Sequence, residues 1–168
     1  MNEQPKKYTT PYGDKIWYLP SKVKDHYHRL DDPAVEWSDE TKHWLHRLDG
    51  PAVEWRDGTK QWFVDGKRHR LDGPAVERAD GTKEWWIEDK RHRSDGPAFE
   101  GINGSKEWWV DGRHHRLDGP AIEWEDGTKQ WWVDGKHLLT EEVETWLEEN
   151  DIDLTMEEGQ VAFKLRWT

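Results

Sequence analysis

HRLDGPAVEWRDGTKQWFVDGKR (residues 46–68) and HRLDGPAIEWEDGTKQWWVDGKH (residues 115–137) are the clearest copies of a block that recurs along most of this chain. The copies align on His28-Arg29, His46-Arg47, His69-Arg70, His92-Arg93 and His115-Arg116, spaced by 23 residues except for a first interval of 18. The first copy is short because Trp44-Leu45 run straight into His46, omitting the Val-Asp-Gly-Lys-Arg segment of the later ones. Upstream, Gly13 to Leu19 matches the second half of a block. A fixed period of this length marks one small supersecondary unit that buries its apolar face by stacking on its neighbours. Such an array favours an extended binding surface over a single catalytic centre.

Each block reads as a β-hairpin. Pro120 to Trp124 is followed by Asp126-Gly127, then by Lys129 to Val133, then by Asp134-Gly135. Asp-Gly between β-formers signals a tight turn with positive φ. Gly, Pro and Asp-Gly interrupt every segment from 10 to 137 before a helix could reach three turns. With a two-residue turn at Asp126-Gly127, Ile122 would face Trp131 and Trp124 would face Lys129 on one side. Ala121, Glu123, Gln130 and Trp132 would share the other side, and a bulged three-residue turn would shift this register.

The copies sample the same structural slots. Trp17, Trp44, Trp62, Trp85, Trp108 and Trp131 fill the first aromatic slot without exception, as a packed face would require. The second slot holds Tyr18, Leu45, Phe63, Trp86, Trp109 and Trp132, a variability suited to partial exposure. Arg78 and Gly101 replace the Trp found at Trp37, Trp55 and Trp124, which would open a shallow notch near the third and fourth repeats.

Only 33% of the 168 residues are hydrophobic and 36% are charged, against about 45–50% and about 25% in ordinary domains. The 14 Trp residues separate this composition from that of a disordered chain, since each ring can bury about 150–250 Å². There is no cysteine, hence no disulfide framework or thiolate chemistry. The N-terminus lacks an apolar h-region and no run approaches a membrane span. The expected location is cytoplasmic, in the host cytoplasm if the chain is viral.

The formal charge of −11 divides into −9 over residues 140–159, +2 over 160–168 and −4 over 1–139. The acidic segment breaks the repeat period. Thr140 suits a helix N-cap with Glu141 and Glu142 in the first turn, and Leu139, Val143, Trp146 and Leu147 are spaced to share one side. Beyond Gly159, Val161, Phe163, Leu165 and Trp167 alternate with Ala162, Lys164 and Arg166 as in a one-sided strand. The expected fold is mainly β: an N-terminal arm (1–10), an elongated antiparallel sheet of β-hairpin repeats (11–137) and an acidic helix-plus-strand cap (138–168) that closes the array.

The rhythm Gly66-Lys67-Arg68-His69-Arg70-Leu71-Asp72-Gly73-Pro74-Ala75 resembles the variant MORN-like repeats found in proteins of phages, large DNA viruses and some bacteria. The resemblance covers roughly residues 11–137. It implies stacked β-hairpins and a role as scaffold, protein-docking surface or lipid contact. Trp and His-Arg-Leu-Asp stand where ordinary MORN units carry tyrosines and spaced glycines, which argues against the lipid role.

Two columns carry the candidate recognition chemistry. Arg70, Arg93 and Arg116, with Arg29 and Arg47 before them, offer planar forks for phosphate or carboxylate; each also has an Asp two residues on, so a purely structural pairing competes. Phe63, Trp86, Trp109 and Trp132 are candidates for protein hot spots, for base stacking, or for burial under a second layer or second copy. The net charge disfavours long nucleic acid, whose binding rests on phosphate neutralisation, and penalises a small nucleotide less. Glu141, Glu144, Glu148, Asp151 and Asp153 are candidates for steering a basic partner, or for mimicking nucleic acid towards a nuclease.

Catalytic signals are poor. His26-x-His28 and His114-His115 lack further ligands at metal-site spacing. Asn150-Asp151-Ile152-Asp153 with Glu157-Glu158 lacks the central Gly of a calcium loop. No cofactor, metal or catalytic residue is assigned. The leading expectation is a non-enzymatic binding module, a protein-interaction or inhibitor protein, with phage origin and a host-factor target resting on the resemblance. The alternatives are sequestration of a small nucleotide by the Trp and Arg columns, and a structural scaffold or virion component, which would include self-association.

Overall fold

The computed structural model describes residues 6–9, 15–18, 35–36, 42–43 and 50–168. Trp37, Trp44, Arg29, Arg47 and the His26–His28 pair, singled out above, lie outside the described residues. The chain forms two compact units. One comprises the described residues up to Gly81 with Trp86–Asp89, the other Thr82–Trp85 with Lys90–Thr168.

Both units carry antiparallel β-hairpins. In the first, Lys6–Thr9 pairs with Lys15–Tyr18, so residues assigned to an arm include a strand. Val35–Glu36, Lys42–His43, Val53–Glu54, Lys60–Gln61 and Val76–Glu77 follow, each bonded to its predecessor. In the second, the run starts at Lys83–Glu84 and continues through Phe99–Glu100, Lys106–Glu107, Ile122–Glu123 and Lys129–Val133, each of these four bonded to the one before it. The register repeats: Glu54 faces Lys60, Glu100 faces Lys106 and Glu123 faces Lys129, while Lys60 faces Glu77, Lys83 faces Glu100 and Lys106 faces Glu123. Opposite charges therefore alternate across one side of the sheet, at about 0.2–1 kcal/mol per directly opposed pair.

The two Asp-Gly signals of a block such as residues 115–137 make different turns. At Asp65-Gly66, Asp111-Gly112 and Asp134-Gly135 both residues have positive φ, between 49° and 81°, and the flanking residues pair around a two-residue turn, as Val64 with Lys67. At Asp57-Gly58 and Asp126-Gly127 only the glycine is left-handed, with φ of 93° and 84°. There the Asp carboxylate accepts the amide of Thr59 or Thr128 at 2.8 Å, and Trp124 N–H donates to Thr128 O. Three residues thus close this turn. The two-residue register is overturned: Ile122 faces Gln130 and Glu123 faces Lys129. The extra residue is held by the Asp side chain and the left-handed glycine, so every downstream side chain changes face.

The buried apolar positions of the repeats are small: Ala52, Val53, Ala75, Val76, Ala98, Ala121 and Ile122. Hydroxyls tie successive first turns together, with Ala79 N–H donating to Thr59 Oγ1 at 3.1 Å and Glu125 N–H to Ser105 Oγ at 3.2 Å.

Two helices complete the second unit, α1 at Thr140–Glu149 and α2 at Glu157–Trp167. Thr140 is not the cap expected of it. Leu139 occupies that position, and Thr140, the first helical residue, points its hydroxyl at Lys129 O. Val143 is buried and Trp146 and Leu147 pack on the core, but Leu139 departs from that side and is 59% exposed.

The expected terminal strand is a helix. Alternating apolar residues also contain an i, i+4 pair, and Phe163 and Trp167 use it to bury one side of α2 while Val161 and Leu165 remain exposed. Gly159 lies one turn earlier on the buried side; a Cβ there would meet the Asp153 carbonyl. Glu157 and Glu158 in the first turn and Lys164 and Arg166 in the last match the helix dipole. The two helices close over Trp131, Val133 and Leu138, forming a cluster with Val143, Leu154, Phe163 and Trp167.

Candidate functional site

The His-Arg-x-Asp-Gly-Pro loop builds the same clasp in the three copies whose arginine is described, Arg70, Arg93 and Arg116. Arg70 Nε donates to Asp72 at 3.0 Å, and its Nη1 donates to Pro74 O at 3.2 Å and Glu77 at 3.1 Å. Its guanidinium lies 4.0 Å from the centre of the Trp62 ring. Arg93 binds Asp95, Pro97 O and Glu100 over Trp85, and Arg116 binds Asp118, Pro120 O and Glu123 over Trp108. A Cβ on Gly73, Gly96 or Gly119 would come within 3.0 Å of the guanidinium carbon. The glycine of this loop is required by the arginine packed against it. Through hydrogen bonding, then charge, Arg70 holds Asp72 below the usual carboxylate range, and Arg93 does the same to Asp95.

The aromatic slots differ less than their sequence suggests. Trp62, Trp85 and Trp108 are half-buried, as are Phe63, Trp86 and Trp109. Among the described residues of the first slot only Trp131 is fully packed, where the helices cover it. The rings of Trp62, Trp85, Trp86, Trp108, Trp109 and Trp132 are instead covered by cations or imidazoles. Arg68 sits 3.5 Å over Trp86, His114 lies 3.6 Å from Trp109, and Trp132 has His114 at 5.2 Å and His137 at 4.8 Å.

A column that sequence reading missed lies behind these rings. Glu84 is buried and paired with Arg91 at 3.0 Å. Glu107 takes the indole N–H of Trp109 at 2.8 Å and meets His114 Nε2 at 3.1 Å. Burial raises the affinity of Glu107 for a proton, yet the His114 and Trp109 hydrogen bonds and the charge of Arg91 outweigh it and hold the group below its ordinary range. Gln130 accepts from Trp132 Nε1 in the same slot. The signal was an ionisable residue recurring between strand formers, matched seven positions later by Arg91 or His114.

The adjacent histidines are not brought to one point. His114 turns to Glu107, whereas His115 Nδ1 meets Asp134 at 2.8 Å, as His92 meets Asp111 at 3.0 Å. Asp153 accepts the amide and hydroxyl of Thr155, which lower its pKa. Among the described residues no group of three His, Cys, Asp or Glu is arranged to hold a metal ion. Nor is any described helix long and apolar enough to cross a membrane.

Two grooves lie in the second unit. One, of about 480 Å³, is lined by Asn103, Ser105, Trp124, Glu125 and Asp126, with Trp124 41% exposed. It adjoins the hairpin of Gly101, where Asn103 Oδ1 occupies the space a Cβ would need; Arg78, the other expected half of the notch, belongs to the first unit. The second groove, of about 720 Å³, runs along α1 and the end of α2. The steering candidates Glu141, Glu144, Glu148, Asp151 and Asp153 are all exposed. Comparison with protein-family models and with curated proteins finds no match for this sequence.

Proposed function

We propose that the chain is a non-enzymatic, MORN-like binding module whose partner is a protein with a basic surface, and that it acts as an inhibitor of that protein. The observation that carries this reading is the contrast in how charge is used. Glu77, Glu100 and Glu123 of the repeats are engaged by Arg70, Arg93 and Arg116, while the carboxylates of the helical cap stand exposed with no ion pair among the described residues. Exposed charge of one sign steers association and suppresses wrong partners. We extend the proposal to a phage-encoded protein working in the host cytoplasm on a host factor, an extension that rests on the resemblance of the repeats.

Nucleotide capture is less well supported. The Arg and Trp columns cover one another, so a base or phosphate would have to displace an internal clasp. Affinity capture from bacterial lysate, with mass spectrometry of both proteins and heat-released small molecules, separates the readings. One stoichiometric protein, released by raised salt, is expected. A nucleotide that survives desalting with no protein partner would overturn the proposal.

A further inference from the structure

We infer that the groove along α1 and the end of α2 receives an arginine-bearing basic segment of the protein partner. The inference rests on the protein-binding reading and adds the place and the chemistry. Leu139, Trp146 and Trp167 give the groove an apolar lining, and Glu141, Glu142 and Glu149 give it three carboxylates. Those three are exposed, and no ion pair within the described residues engages them.

One cation is already there. Arg166 lines the groove with its guanidinium 4.6 Å from the centre of the Trp167 ring, so the aromatic wall accepts this chemistry from the chain itself. One arginine against three glutamates leaves the groove net negative by two charges. Leu139, 59% exposed, suits an apolar side chain flanking the arginine.

A basic segment of this kind satisfies all three features at once. Its guanidinium takes the carboxylates in bidentate fashion and lies on the ring, and its flanking apolar group covers Leu139. Arg166 then competes with the ligand rather than assisting it.

The probe is a hexa-arginine peptide, with hexa-citrulline as the neutral isostere. Binding is followed by the indole N–H resonances of Trp146 and Trp167, assigned with Trp146→Phe and Trp167→Phe. At 0.15 M salt, where screening acts over about 8 Å, hexa-arginine is expected to move these two resonances and hexa-citrulline to leave them in place. Glu142→Gln with Glu149→Gln should weaken binding at least tenfold, while Glu144→Gln with Glu148→Gln, which removes equal charge outside the groove, should weaken it less than threefold. Arg166→Gln should tighten it. Equal weakening by the two pairs, or shifts spread evenly over the indoles, would overturn the inference. If a captured protein partner is retained unchanged by Glu142→Gln with Glu149→Gln, the groove is wrong and the broader reading stands. If no protein partner is captured at all, the broader reading fails on its own.

Discussion

Within the second unit, the repeats and the helical cap solve the same problem with opposite means. The cap gathers Trp131, Val133, Leu138, Val143, Leu154, Phe163 and Trp167 into one apolar cluster. The repeats before it bury Ala98, Ala121 and Ile122 beside the polar Thr82, Glu84 and Ser105, and cover half-exposed Trp rings with Arg and His. A thin repeat has too little depth for an aliphatic core, so cation–π contacts and charge-assisted hydrogen bonds replace interior volume. The stability of the cap is therefore expected to be apolar and local, and that of the repeats to be distributed and sensitive to charge.

The largest effect is expected where the cap core is emptied. Phe163, fully buried, changed to Ala should cost about 3–5 kcal/mol, read by urea denaturation. A cost below about 1 kcal/mol would show that the cluster is not the centre of the cap. Next comes the clasp. Arg116→Lys keeps the charge but loses the fork that spans Asp118, Pro120 O and Glu123; with a largely shielded side chain, about 1–2 kcal/mol should be lost.

Gly127→Ala forces a side chain into a φ of 84° with open space around it. The cost is purely conformational, about 1 kcal/mol, and Gly127→Asn should recover part of it.

The smallest effect concerns acid. Glu107 has a folded pKa below its ordinary value, so the stability it contributes is present above the usual glutamate range and is lost as pH falls through the folded pKa. Denaturation midpoints measured from pH 7 down to pH 3 should fall less steeply in Glu107→Gln than in the parent. The cap core, which holds no ionisable side chain in its buried cluster, supplies no such slope.

Much of this architecture was legible in the residues. The period, the β-hairpins and a distinct acidic cap follow from the spacing of His-Arg pairs, the doubled Asp-Gly and the break after residue 137. The register did not follow, because the same dipeptide serves two turn types and only the neighbouring Thr59 or Thr128 amide, held by the Asp side chain, distinguishes them. The last element was misread because Val161, Phe163, Leu165 and Trp167 satisfy a period of two while Phe163 and Trp167 alone satisfy a helix. The arginine column was legible as a column. That its forks engage Asp72, Asp95 and Asp118 was not, because those contacts depend on loop geometry and on the close approach of Gly73, Gly96 and Gly119. The groove at Trp146 and Trp167 left no periodic trace, since it joins two helices used once.

The central claim is that the repeats hold and the cap recognises, and a paired measurement of urea midpoint and partner association rate tests it most directly. Arg93→Lys with Arg116→Lys should lower the midpoint and leave the association rate of the folded protein within twofold. Changing Glu141, Glu144, Glu148 and Asp151 to their amides should leave the midpoint in place and slow association at least tenfold at low salt. The reverse pattern, with recognition lost from the clasp variant and stability lost from the cap variant, would contradict the account.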